Sequence, residues 1–252
     1  MNELQRSLNN EAWFQLRDGN FAKGAELLSS CIAVRPEIGN QTAPYYRNLA
    51  LAQLCLGKYL SAEEIQRKLI SLLSARHSSD FEIYGCTLWL RGHHNDAVAK
   101  WEEGLNCDYA DSANVQIPLL LWFGYSWLQR DTSKILELLR RRVGDRKTGI
   151  GWPLPIARYL IRNRSVEQLE AEAEMSSHAH IRIRQRRQVQ FYIAVEKYLQ
   201  GETEQFTTTM IEIAATKEML SECERYLAQN LVTKEGIRGT ERAIQSKEID
   251  EQ

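Results

Sequence analysis

Apolar residues recur at helical spacing along most of the chain, and no stretch alternates as a half-buried strand would. The clearest segment is 78–108, SSDFEIYGCTLWLRGHHNDAVAKWEEGLNCD. Phe81, Tyr84, Gly85 and Leu88 fall on one helical stripe, and Ala97, Trp101 and Gly104 on a second. Gly92-His93-His94 separates them as a turn. The small residues Gly85 and Ala97 stand where two antiparallel helices would approach most closely.

The same plan returns along the chain. In 5–36, Ala12 is the small position, Gly19-Asn20-Phe21 the turn, and Gly24, Leu28 and Cys31 the second stripe, closed by Pro36. In 44–76, the stripe is Tyr46, Leu49, Ala50 and Gln53, followed by a turn at Gly57-Lys58-Tyr59 and then Ala62 and Leu69. Residues 116–143 are the most apolar and predict the most buried pair. Gly124 is its small residue, Asp131 or Ser133 caps its second helix, and Ile135, Leu136, Leu138 and Leu139 line it. A polar loop follows, then a helix starting near Pro153 or Pro155, then a capping-box start at Ser165-Val-Glu-Gln168. Helices are expected over 184–200, 203–215 and 218–232, with Gly201 at a turn and a charged, flexible tail over 233–252.

Aligned on the small position, the units stand at Ala12, Ala50, Gly85, Gly124, Tyr159 and Ala194, a period near 35 that predicts stacked helix pairs. Tyr159 breaks the small-residue rule, so the fifth unit departs from the pattern. On Gly85 and Ala97, and on the matching residues of the first two units, the chain resembles the tetratricopeptide repeat (TPR) family. The carboxyl half is similar in layout to bacterial TPR proteins of the NlpI kind, from the Trp122 helix through GWPLPIARYL to FYIAVEKYLQGETEQF. The resemblance implies an all-α, TPR-like solenoid, a right-handed superhelix of antiparallel pairs. It would span 1–232 as a single domain of about six pairs and a terminal helix.

In that family the first helix of each pair faces a concave groove. The resemblance therefore assigns groove positions to Asn9, Trp13 and Leu16, to Arg47, Leu51 and Leu54, to Glu82, Cys86 and Trp89, and to Leu121, Tyr125 and Leu128. Trp13, Trp89 and Tyr125 become candidate anchors for a partner, because buried aromatics dominate binding energy. The family's chaperone-tail receptors use basic residues and Asn at such positions. Here Asn48 with Arg47 is the whole match, since Asn9, Trp13, Ser79 and Ile83 stand at the others, so that role is excluded.

Charge adds one feature. The 252-residue chain is nearly neutral at −1, with 43% hydrophobic and 26% charged residues. Residues 130–187 nevertheless hold 14 Lys or Arg against 7 Asp or Glu. Arg140, Arg141, Arg142, Arg146, Lys147, Arg182, Arg184, Arg186 and Arg187 supply most of that excess. Such a patch suits an acidic protein surface. Nucleic acid is the less favoured reading, because no aromatic interleaving accompanies the arginines.

Catalytic chemistry finds no foothold. The motifs of phosphate, dinucleotide, zinc-protease and serine-hydrolase sites are missing. The pairs His93-His94 and His178-Ala-His180 lack completing ligands, so neither metal nor cofactor is expected. Five cysteines without a C-x-x-C spacing read as reduced thiols. With no leader, lipid-anchoring cysteine or membrane span in view, the expected location is the cytoplasm. These readings converge on a non-enzymatic scaffold for a protein or peptide partner, with self-association open. A bacterial toxin-neutralising immunity protein is the first expectation within that class, and a secretion chaperone or regulatory adaptor the second.

Overall fold

The computed structural model describes residues 3–73, 77–107, 114–144 and 151–233. Thirteen α-helices occur among them, and no strand. They are α1 (Glu3–Arg17), α2 (Phe21–Val34), α3 (Ala43–Cys55), α4 (Tyr59–Leu72), α5 (Ser78–Leu90), α6 (His94–Gly104), α7 (Gln116–Trp127), α8 (Ser133–Gly144), α9 (Leu154–Leu160), α10 (Val166–Ala173), α11 (Ala179–Leu199), α12 (Phe206–Ala215) and α13 (Cys223–Leu231). The chain divides into two compact units, with the boundary inside α7 between Leu121 and Trp122. Arg146, Lys147 and the charged tail expected beyond 233 lie outside the described residues.

One backbone turn recurs six times. In each, a residue with positive φ follows a helix, at Gly19, Gly57, Gly92, Gln129, Arg162 and Gly201, separated by 38, 35, 37, 33 and 39 residues. Each donates its N–H to the carbonyl three residues back. The next residue donates to the carbonyl five back, as in Gly19 to Leu16 and Asn20 to Gln15, or Arg162 to Tyr159 and Asn163 to Arg158. This paired closure satisfies the orphan carbonyls at a helix end and needs a left-handed residue, hence glycine at four of six places. The described residues thus form a TPR-like helical repeat punctuated by six such turns, with α13 following α12.

In the first unit, close packing falls where the small residues are. A Cβ built on Gly85 would lie 2.2 Å from Nε1 of Trp101, and one built on Gly24 would lie 2.6 Å from Cδ2 of Leu16. Ala12, Ala50, Ala62 and Ala97 are buried with them. The stripe of α3 sits differently from its expected register. Tyr45, Leu51, Ala52 and Leu54 are buried beside Ala50, while Tyr46, Leu49 and Gln53 are only partly covered. Tyr45 turns inward beside Cys31, and burial raises both their pKa values.

In the second unit, Phe123, Phe191, Tyr192, Tyr198, Phe206 and Trp127 form a connected aromatic core, with centroid spacings from 4.2 to 6.0 Å. The fifth pair is short, α9 having 7 residues and α10 having 8. Tyr159 occupies the small position there because its hydroxyl reaches out of the apolar layer to Glu196. Ser165 and Gln168 complete the expected capping box of α10.

Candidate functional site

On the first unit, α1, α3 and α5 are the first helices of successive pairs, and each touches the next in the series. A polar ladder ties them. Asn48 Nδ2 donates to Asn9 Oδ1 at 3.1 Å. Arg47 grips Asp80 with two parallel bonds, Nε to Oδ1 at 2.5 Å and Nη2 to Oδ2 at 2.8 Å. Asp80 is buried and Arg47 about a third exposed, so this fork is shielded from the screening that weakens surface pairs.

The expected groove residues separate on this frame. Arg47 is committed to Asp80 and Leu51 is buried, so both hold the first unit together instead of facing a partner. Trp89 is corrected from anchor to core. It is 0% exposed, with its ring stacked on His94 at 4.3 Å and on Trp101 at 5.7 Å. Burial and the neighbouring His93 lower the pKa of His94, so the ring against Trp89 is kept neutral. Cys86 and Leu54 are buried as well. Trp13 alone among the proposed aromatic anchors of this unit is partly exposed, one helical turn along α1 from Asn9.

On the second unit, Tyr125 is partly exposed, with the Arg130 guanidinium 5.6 Å from its ring centre. The arginine run does not stand as a bare basic patch. Arg140 lies 3.6 Å from Glu137, and Arg186 Nη2 lies 2.6 Å from Glu174. Arg184 pairs with the buried Glu222. Arg187 pairs with Glu212 at 2.6 Å, and Arg182 approaches Glu174 at 3.9 Å. Arg141 is exposed and Arg142 partly so.

A feature that the sequence did not bring out lies between α9, α10 and the start of α11. A pocket of about 500 Å³ is lined by Trp152, Pro155, Arg158, Glu172, Met175, Ser176 and Gln185 among the described residues. Trp152 Nε1 donates to Gln188 Oε1 at 2.6 Å, and Gln188 Nε2 donates in turn to the fully buried Glu224 at 3.2 Å. Tyr192 also donates to Glu224, at 2.9 Å. The indole is therefore held from behind by a buried chain of hydrogen bonds. Sequence reasoning missed Trp152 because it sits between loop glycine and proline and matches no helical stripe.

No group of three or more His, Cys, Asp or Glu among the described residues could hold a metal ion. No helix among them is long and apolar enough to cross a membrane. His93 and Asp96 stand 3.8 Å apart, and the His178 and His180 rings 5.8 Å apart.

No protein-family model matches the chain, and no curated protein matches it either. Among solved structures, it is similar to the C-terminal part of a TPR repeat-containing protein from Cytophaga hutchinsonii. The likeness covers 91% of this chain and 98% of that one, at 16% identity and a TM-score of 0.42. The six turns and the packing around their helices make the described residues a TPR-like helical repeat.

Proposed function

We propose that the protein acts by binding a partner protein, without catalysis, on the face made by α1, α3 and α5. The observation that carries this reading is the ladder Asn9–Asn48 and Arg47–Asp80. It joins three first helices into one rigid face and leaves Trp13 partly exposed along its edge. A tryptophan has few torsions to lose on binding, so more of its contact energy appears as affinity.

Trp13→Ala tests the reading. Affinity capture with the wild-type protein, followed by mass spectrometry, identifies the partner, and calorimetry compares the variant. Loss of about 2 kcal/mol or more of binding energy, with an unchanged melting temperature, supports a docking face. An equal loss of melting temperature with normal binding by the folded fraction would place Trp13 in the core and defeat it. Neutralisation of a toxin is the specific form put forward first. Its mark is that co-expression with the captured partner restores growth that the partner alone arrests.

A further inference from the structure

We propose that the pocket between α9, α10 and α11 binds a carboxylate carried on an apolar body, with Arg158 as the group that receives the charge. The proposal is independent of the α1 face, and its outcome does not depend on Trp13.

The guanidinium of Arg158 is the least satisfied charge at the pocket. Its neighbour Glu172 stands 4.0 Å away, beyond hydrogen-bonding reach. Glu172 is already taken by Arg164, whose Nε donates to Oε1 at 2.8 Å. Arg158 is only 17% exposed, so water reaches little of it. Two guanidiniums beside one carboxylate leave the locality with a positive excess. A second carboxylate would meet the planar donor fork of Arg158 in the geometry that suits it best.

The remaining walls set the body of the ligand. Trp152 and Pro155 offer flat apolar faces, and Met175 offers a polarizable thioether. Met175 is 70% exposed, an unusual cost for a long apolar side chain. Its segment is nonetheless pinned on both sides. Arg186 Nε donates to Glu174 at 2.7 Å, and Arg182 Nη1 donates to the carbonyls of Ser176 and Ser177 at 2.8 and 3.2 Å. The backbone that carries the thioether is therefore anchored at the rim, and the indole is fixed by Gln188. Volume and lining match the range of small-ligand sites, which are mostly apolar with a few placed polar groups.

N-acetyl-phenylalanine and its carboxamide are the probes. They share a shape and differ in one negative charge. With methyl-labelled methionine, the Met175 resonance reports the pocket, while the buried Met210 and Met219 report the fold. The acid should shift the Met175 signal with a dissociation constant of roughly millimolar. The amide should bind about tenfold more weakly or worse. Arg158→Gln should erase the difference between the two without moving Met210 or Met219.

Equal binding of acid and amide to the wild-type protein overturns the proposal. So does an unmoved Met175 signal at acid concentrations well above millimolar. Both readings come from the wild-type chain and stand even if the variant fails to fold. A short peptide with an internal Glu beside Phe, blocked at both ends, separates the two sources. If it binds at least as well as the free acid, the natural ligand is a peptide's acidic residue. If only the free acid binds, the ligand is a small molecule.

Discussion

At position 85 an alanine would place its methyl group against the edge of Trp101, which has no room to yield. That indole is stacked on Trp89 and donates to the Glu82 carbonyl at 3.2 Å. Gly85→Ala should therefore cost about 1–3 kcal/mol in urea denaturation. Gly24→Ala meets the flexible end of Leu16 and should cost clearly less. A different strain sits at Gln129 and Arg162, which adopt the left-handed backbone at φ 54° and 64°. Gln129→Gly should raise stability by about 0.5–1 kcal/mol, the relief of left-handed strain less the entropy of an added glycine. Arg162→Gly should gain nothing measurable, because it also removes the partner of Glu196. These residue-scale demands were readable in advance where they are local. Gly85, Gly92 and Ala97 follow from spacing alone. Trp89 and Trp13 could not be told apart, since both hold matching positions in their repeats and the stacking of Trp89 on His94 and Trp101 is a tertiary contact.

Between elements, the second unit depends on carboxylates that the sequence pattern does not single out. Glu222, beside the start of α13, is buried against Arg184 of α11. Burial raises its pKa, and the pull of Arg184, itself partly exposed and so screened, does not overcome that. A raised acid keeps its proton in the folded state after the unfolded chain has released it. Its contribution to stability is thus complete below about pH 4.5 and is lost as pH rises through the higher folded value. Glu222→Gln should melt like the wild type in acid. It should then gain on it as pH climbs toward neutrality, which a melting-temperature series across pH measures. A constant offset at every pH would mean that Glu222 binds its proton equally well folded and unfolded, and would defeat the raised value. Arg184 reads as part of a partner patch because its acid lies far along the chain, at 222. A one-dimensional tally of charge cannot see that pairing.

At the scale of the whole molecule, Arg182, Arg184, Arg186 and Arg187 are answered by acids at 174, 212 and 222, so the field they would offer to phosphate is reduced. Fluorescence anisotropy with duplex and single-stranded oligonucleotides should show no binding tighter than about 10⁻⁴–10⁻⁶ M at physiological salt. Nanomolar binding would return the exposed Arg141 and its neighbours to the centre of the function. The helical class and the repeat were legible from periodicity, because a pair of helices declares itself within one stretch of sequence. The pocket at Trp152 was not, since it assembles three elements around a residue that looks like loop.

The six turns carry one more consequence, for how the chain is made. In the first unit, the principal contacts join helices no more than two apart in order. A repeat of 33–39 residues takes a few seconds to leave a ribosome at about 5–20 residues per second. Helical proteins with such local wiring fold in roughly microseconds to milliseconds. Each hairpin of helices can therefore close long before the next has emerged. Translation, and not the search for distant contacts, would then set the order in which the first unit is assembled.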